Sequence, residues 1–348
     1  MKRFFDLLVA AFAAAAIVPA AAQAGALEKK KLVISVGGSI SQMNKVAYVI
    51  AVQKKFFQEE GLEVESVPFA SGTAGLQALI GGNSDVSEGS FEHTLRMQAK
   101  GIHITCIATF GRYPANVLVV TKPNFDKIKS VKDLKGKKIG VSAPGASTHN
   151  FVASLLERAG VPWKEASYIS IGTGPSALAA VRSGGELDAL VNLDPAISAL
   201  VNAGEAKVLV DSRTEEGSRA AFGGDYLADC LFAKTEFVKA NPNTAQAVAN
   251  AIVHAMQWLK TASVDDIIAV LPPEYYKADE ALYRQSLKTN IAAFTWDGIV
   301  KTEAVQNVLD AISVLDPPFK TKKFDLAATH DNKLIENALK KYGKPSKS

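Results

Sequence analysis

The chain has 348 residues, 48% hydrophobic and 21% charged, enough apolar material for two domain cores and too much for a disordered or fibrous chain. Its formal charge is only +4, and the lysine groups at 29–31, 127–138 and 340–347 lack a run of interleaved aromatics, so a base-stacking nucleic-acid surface is excluded in favour of solvated faces and tails. Neither the two cysteines nor the five histidines (His93, His103, His149, His254, His330) have metal-ligand spacing, and no metal or cofactor is expected.

In chain order, Met1-Lys2-Arg3 is a basic start, Phe4 to Val18 an apolar stretch and Ala22-Gln23-Ala24 a small-x-small cleavage site, the composition of an export signal cut near Ala24. The stretch is too short and too rich in alanine to span a bilayer stably. The mature protein, expected in the periplasm, begins near Gly25 and carries +3 once Lys2, Arg3 and Asp6 are gone. LVISVGG (32–38) then reads as a strand, KVAYVIAVQKKFFQEEG (45–61) as one helix stopped by Gly61, and LEVESVPFA as a second strand. SGTAGLQALIGGNSD (71–85) gives a loop, a short helix, a Gly-Gly turn and an Asp, before VSEGSFEHTLRMQAKG supplies another strand end and helix. Cys106 and Cys230 fall in apolar runs, ITCIATF and DCLFAK, that read as buried strands; two free thiols are favoured over a disulfide.

A phrase recurs about 100 residues later, in YISIGTGPSALAAVRSGGELDALVNLDP (168–195). Gly72-Thr73 matches Gly172-Thr173, and Gly81-Gly82-x-x-Asp85 matches Gly184-Gly185-x-x-Asp188, with three extra residues in the second copy. Either Gly-rich turns coincide by chance or the chain holds two similarly built α/β lobes. Between the copies NVLVVTKPNF leads to a new strand at 138–142, and beyond them DYLADCLFAK (225–234) is another strand. NPNTAQAVANAIVHAMQWLK opens a long helix for which Asn241 to Thr244 carry the cap and Pro signals. From there to Lys341 the pattern is helical, broken at Pro272-Pro273 and Pro317-Pro318.

AVQKKFFQEEGLEVESVPFASGTAGLQALIGGNSDV resembles the helix, strand and G-x-x-D turn near the N-terminus of the nitrate/sulfonate/taurine-type solute-binding proteins of ABC transporters, a group with thiamine-pyrimidine-synthase-like relatives. SVKDLKGKKIGVSAPGASTHNFVASLLERAGV is similar to the entry of their second lobe, and GGELDALVNLDPA to the turn and strand that close its site. The similarity runs from about Leu32 to Lys260. It implies an α/β, type II periplasmic-binding fold of two lobes joined by a two-strand hinge, with NVLVVTK and CLFAK as the crossovers and the ligand in the cleft. Lobe I would comprise 32–120 and 225–348, lobe II 121–224. The first loop, GGSISQMN, lacks the Pro often found there, so ligand identity does not carry over.

Ligands of open α/β sheets bind at strand carboxyl ends, where loops enter helices, and Gly lets a ligand approach the unpaired N–H groups there. Six such loops are legible. The first lobe offers Ser39 and Gln42, then Ser71, Gly72 and Thr73, then Ser90, Phe91 and Glu92. The second offers Ser142, Ser147, Thr148 and His149, then Gly172 and Thr173, then Asp194 before Pro195. The Ser and Thr hydroxyls suit an oxyanion, although each also serves as a helix cap. Glu92 and Asp194 can accept from an amine, or compensate a helix dipole and cap a turn. His149 can donate to an anion or cap its own helix. Arg112 in FGRYPAN can face an anion or pair at the hinge, with Tyr113 as an aromatic wall; Tyr226 and Trp296 are further aromatic candidates against core packing.

These loops point to capture of a small organic anion, sulfonate or carboxylate, by lobe closure and its delivery to an ABC permease with its ATPase. The protein is expected to act as a monomer. A thiamine-type pyrimidine bound through Glu92 and Asp194 is the alternative. An enzyme on the same fold is disfavoured, because no G-x-S-x-G elbow, P-loop or loop cysteine is present.

Overall fold

The computed structural model describes residues 25–184 and 186–343. The export signal and Gly185 of the second Gly-Gly turn lie outside the described residues. The alternation of strand and helix runs resolves into two five-stranded mixed sheets. The first has the order β2-β1-β3-β10-β4, from β1 (Lys31–Gly37), β2 (Glu63–Phe69), β3 (Val86–Ser90), β4 (Ile104–Thr109) and β10 (Asp229–Lys234). The second has the order β7-β6-β8-β5-β9, from β5 (Val117–Thr121), β6 (Lys138–Val141), β7 (Ser167–Ser170), β8 (Ala189–Asn192) and β9 (Ala206–Asp211). β4 and β5 are buried along their whole length, which is why both read as unbroken apolar runs; β2, at an edge, alternates.

The repeat has a shared physical role. Asp85 accepts the Val33 N–H (3.1 Å) at the start of the neighbouring parallel strand β1, and Asp188 accepts the Lys138 N–H (2.8 Å) at the start of β6. In both lobes the Gly turn is there to aim a carboxylate at the first free donor of the next strand. The three extra residues of the second copy lie ahead of its helix. Helix Gly72–Gly81 starts at Gly72, whereas helix Pro175–Arg182 starts three residues after Gly172, which frees Thr173 for the cleft.

The crossover strands β5 and β10 are the two that enter their sheets antiparallel to their neighbours. β5 pairs only with β8 and β9, so the chain crosses at 110–116 rather than at 120; residues 225–228 likewise belong to the return crossing and β10 starts at Asp229. Helix Pro242–Thr261 buries Ala245, Ala249, Ile252 and Met256 at helical spacing, packing on helices Val46–Gln53 and Asn332–Tyr342. Two expectations are corrected. The helix expected over 45–61 breaks after Gln53, where Lys55 adopts φ 61°, and a short helix Phe56–Glu59 follows. The break turns Phe56 and Phe57 together into the core. Asn241 donates to Phe237 O instead of capping; the start of the long helix is held by Glu28, which accepts from the N–H groups of Asn243 (3.2 Å) and Thr244 (2.9 Å). Cys106 and Cys230 are buried free thiols on adjacent strands. Among the described residues no helix is long and apolar enough to cross a membrane.

Candidate functional site

The carboxyl ends of β1 and β3 face the loops of the second sheet across a small cavity of about 40 Å³. Its first-lobe wall depends on close backbone contact: a Cβ on Gly37 would lie 2.4 Å from the Gly72 Cα, so β1 touches the start of helix Gly72–Gly81 only because position 37 is glycine. Gln42, Gly72, Ser90 and His93 line this side, and Ser142, Ser147, Thr148 and Thr173 the other. Ser142 and Thr148 pair through their hydroxyls (2.7 Å), while the Ser39 N–H donates to Thr173 Oγ1 (2.8 Å) from one lobe to the other. Ser71 caps its helix by accepting from Ala74 N–H.

The loop reading missed three ionisable side chains at the base of the cavity, of which Lys45 and Asp229 line it and Glu88 stands behind Lys45. Lys45 Nζ is 2.6 Å from Glu88 Oε2, both buried, and Asn44 Nδ2 donates to Asp229 Oδ1 (2.9 Å). Lys45 and Asp229 line the cavity. Burial, then the Glu88 charge, push the Asp229 carboxyl up to about 7, with Lys45 and Asn44 opposing. Burial lowers His93 to about 4, so its ring is neutral. The signal was faint because Lys45 opens an apolar helical run and Asp229 precedes an apolar strand; only the fold brings 45, 88 and 229 together.

His93 also lines a larger chamber, about 440 Å³, that opens outward between the lobes past Thr73, Arg96, Lys100, Gly145 and Lys322, with Asp316 as its acid. Arg96 Nε lies 3.6 Å from Glu92 Oε1, one helical turn back. Glu92 itself is buried and saturated: Asn150 Nδ2 of the second lobe donates to Oε1 and Tyr226 Oη to Oε2 (2.8 Å).

The remaining loop residues stand elsewhere. Phe91 and Tyr226 pack in the core. His149 Nδ1 accepts from Gly145 N–H (3.0 Å), the capping role, with its ring against Tyr168. Asp194 is buried and bonded to Arg213 (2.8 Å), Asn290 (2.7 Å) and the Ser198 N–H (2.9 Å), outside the lining of the cavity. Gly172 O accepts from Asn192, behind the cavity wall. Arg112 stacks on Tyr113 and pairs with Glu215 (3.4 Å), on a separate chamber of about 410 Å³ shared with Trp296.

The pattern of the NMT1/THI5-like family matches residues 42–262, more than half of the sequence. The chain belongs to this family. A Bacillus subtilis protein named for aliphatic sulfonate binding is 25% identical over 324 residues, 90% of this chain and 89% of that one. A Haemophilus influenzae protein named for thiamine biosynthesis is 26% identical over 147 residues, 42% of this chain, which spans only 44% of its length. A solved structure from Bordetella bronchiseptica RB50 is 39% identical, with a TM-score of 0.88, over 92% of this chain and 100% of that one. The periplasmic aliphatic sulphonate binding protein SsuA from Escherichia coli aligns with a TM-score of 0.66 at 20% identity, over 88% of this chain and 99% of its own. The fold of this NMT1/THI5-like chain is therefore the two-lobed periplasmic-binding fold, with the cavity in its cleft.

Proposed function

We propose that the protein is the ligand-capturing component of an ABC importer, working outside the inner membrane. It closes its lobes on a small organic anion of the sulfonate or carboxylate type and presents the closed form to a permease with its ATPase. The observation that carries this reading is the shared cavity: hydroxyls and loop ends of both lobes meet there, with Ser39 N–H bonded to Thr173 across it. A site shared between lobes makes its full set of contacts only when they close, and that couples occupancy to conformation. The lobes divide at the crossings, with the described residues before the first crossing, 25–109, in the first lobe. Of the loop residues, Gln42, Gly72, Ser90, Ser142, Ser147, Thr148 and Thr173 are assigned to the ligand, and Thr73 to the outer chamber. No covalent step is proposed, and the relatives named for sulfonate binding favour the anion. A nitrogen heterocycle is the second reading, favoured by the buried Asp229 acceptor.

Thermal shift on mature protein stripped of ligand by denaturation and refolding tests this. A melting temperature that climbs with sulfonate or carboxylate concentration is expected. Shifts with pyrimidines alone select the second reading, and no shift with any of the three classes rejects capture.

A further inference from the structure

The base of the inner cavity holds an unbalanced set of charges. Lys45, Glu88 and Asp229 are all buried, and the single ammonium is bonded to Glu88 Oε2 at 2.6 Å. With both carboxyls ionised the group would carry one negative charge in excess out of water, a state that desolvation opposes. Among the described residues the surrounding elements bring no second cation to the cavity. β3 supplies Glu88, while helix Glu92–Gln98 supplies His93, kept neutral by burial, and Arg96, which lies against Glu92. β4 brings Cys106, on the strand paired with that of Cys230, whose thiol burial pushes well up; helix Gly72–Gly81 has no ionisable side chain. Arg112, on the first crossing, pairs with Glu215 and stacks on Tyr113. Lys45 is the one cation among the described residues that line the cavity.

Asp229 is the acid placed to take up the missing charge as a proton. It lines the cavity, and Asn44 Nδ2 donates to its Oδ1 (2.9 Å), while Oδ2 has no hydrogen-bond partner among the described residues. An ionised Oδ2 would set one more acceptor and a like charge against an anion, whereas a protonated Oδ2 is a donor. We infer that the cavity captures its anion together with a proton: Asp229 receives the anion as the neutral acid, its Oδ2–H donating to it across from Ser142, Ser147 and Thr148, and ionised Asp229 repels it. The proton passes from solvent to Oδ2 on capture and back to solvent on release. This rests on reading the cavity as the seat of an organic anion. It makes Asp229 the residue that sets the charge class of the ligand and the pH range of capture. The free carboxyl titrates at about 7, so the protonated form is present below that pH and lost above it, and affinity falls as pH rises.

Two measurements on the stripped mature protein test this with propane-1-sulfonate and butanoate, both of which stay ionised from about pH 6 to 8.5. Calorimetry in bis-Tris and Tris, amine buffers that do not compete for an anion site, is expected to give a Kd that is level near about pH 6 and rises by up to about 10-fold per pH unit above about 7. A pH-stat titration in unbuffered salt is expected to record uptake of about half a proton per anion bound at pH 7 and close to one at about pH 8.5. That reading comes from the parent and needs no variant to fold. Asp229→Asn puts a permanent N–H donor in place of the O–H, so its Kd stays level with pH and no proton is taken up. In Glu88→Gln the competing carboxylate is gone and Lys45 neutralises Asp229, so the rise in Kd above about pH 7 is lost there too. A level Kd in the parent without proton uptake overturns the inference while anion capture stands. Proton release on binding overturns it in favour of Asp229 as an acceptor, the role the heterocycle reading needs. A parent-like pH profile in Asp229→Asn overturns the assignment to Asp229, and one in Glu88→Gln overturns the excess charge as its cause. If neither anion binds at any pH, the inference fails together with the proposed capture of sulfonates and carboxylates.

Discussion

Asp229 and His93, two neighbours on the cavity wall, titrate in opposite senses. Asp229 is raised from 3.8 to about 7, so the folded protein keeps a proton that the unfolded chain has lost, and stability falls as pH rises through that window. His93 is lowered from 6.5 to about 4, so the unfolded chain takes a proton that the folded one refuses, and stability falls as pH drops through 6.5 toward 4. The two slopes offset each other where the windows overlap. Asp229→Asn removes one of them. The slope of unfolding free energy against pH is expected to change by up to about 1.4 kcal/mol per unit, leaving a variant that loses stability on acidification more steeply than the parent. Urea unfolding at pH 5, 6 and 7 reads this directly, and parallel curves for parent and variant refute the burial of an unshared proton at Asp229.

At the scale of elements, the carboxylates after the two Gly turns make the repeat testable. Asp85→Ala and Asp188→Ala each remove an acceptor from the first donor of a strand, and each is expected to cost about 1–2 kcal/mol in denaturant unfolding. Asp85 should cost more, because its Val33 N–H is the more buried and Lys29 also pairs with it at 2.6 Å. A neutral Asp188→Ala would return the second motif to chance. Gly37→Ala is harsher: its Cβ would meet backbone at 2.4 Å, which no side-chain rotation relieves, so a loss of about 3 kcal/mol and a displaced loop at 38–44 are expected by melting and by ligand titration. These elements also show what the sequence could reveal. Alternating apolar runs and Gly turns disclosed strands and helices, because those signals are local, whereas the crossovers came only from the family resemblance. The break at Lys55 and the Glu28 cap were not legible: the first answers to where Phe56 and Phe57 find a core, the second to a partner 215 residues away. The same limit explains the site. The Ser, Thr and Gly loops announced themselves at helix starts, whereas Lys45, Glu88 and Asp229 acquire meaning only through contacts across the sheet.

For the whole molecule, function turns on the balance between open and closed lobes. Three kinds of contact hold the closed form: backbone-linked bonds such as Ser39 N–H to Thr173 Oγ1 and Met43 N–H to Asp194 O (3.2 Å), the buried Asn150 to Glu92 bond, and the apolar cluster in which Phe91 and Leu95 of one lobe join Phe151 and Val152 of the other. Among the described residues the chain passes from one sheet to the other at 110–116 and returns over 212–228. The Asn150 bond is the most informative one to remove, because Glu92 keeps Tyr226 and Arg96 and the first lobe is left intact. Asn150→Ala is expected to raise the free energy of closure by about 1–2 kcal/mol, the net value of a charge-assisted bond exchanged for water. A ligand that binds the closed form must then supply that difference, so affinity falls by about 5- to 30-fold while the melting temperature of the unliganded protein changes little. Asn150→Asp, which sets a like charge against Glu92, should open the lobes further. Small-angle scattering of unliganded protein, with calorimetry on the same samples, tests the chain of cause: radius of gyration and Kd should rise in the order parent, Ala, Asp. A Kd that rises without any change in scattering would move the effect from lobe closure to the cavity wall.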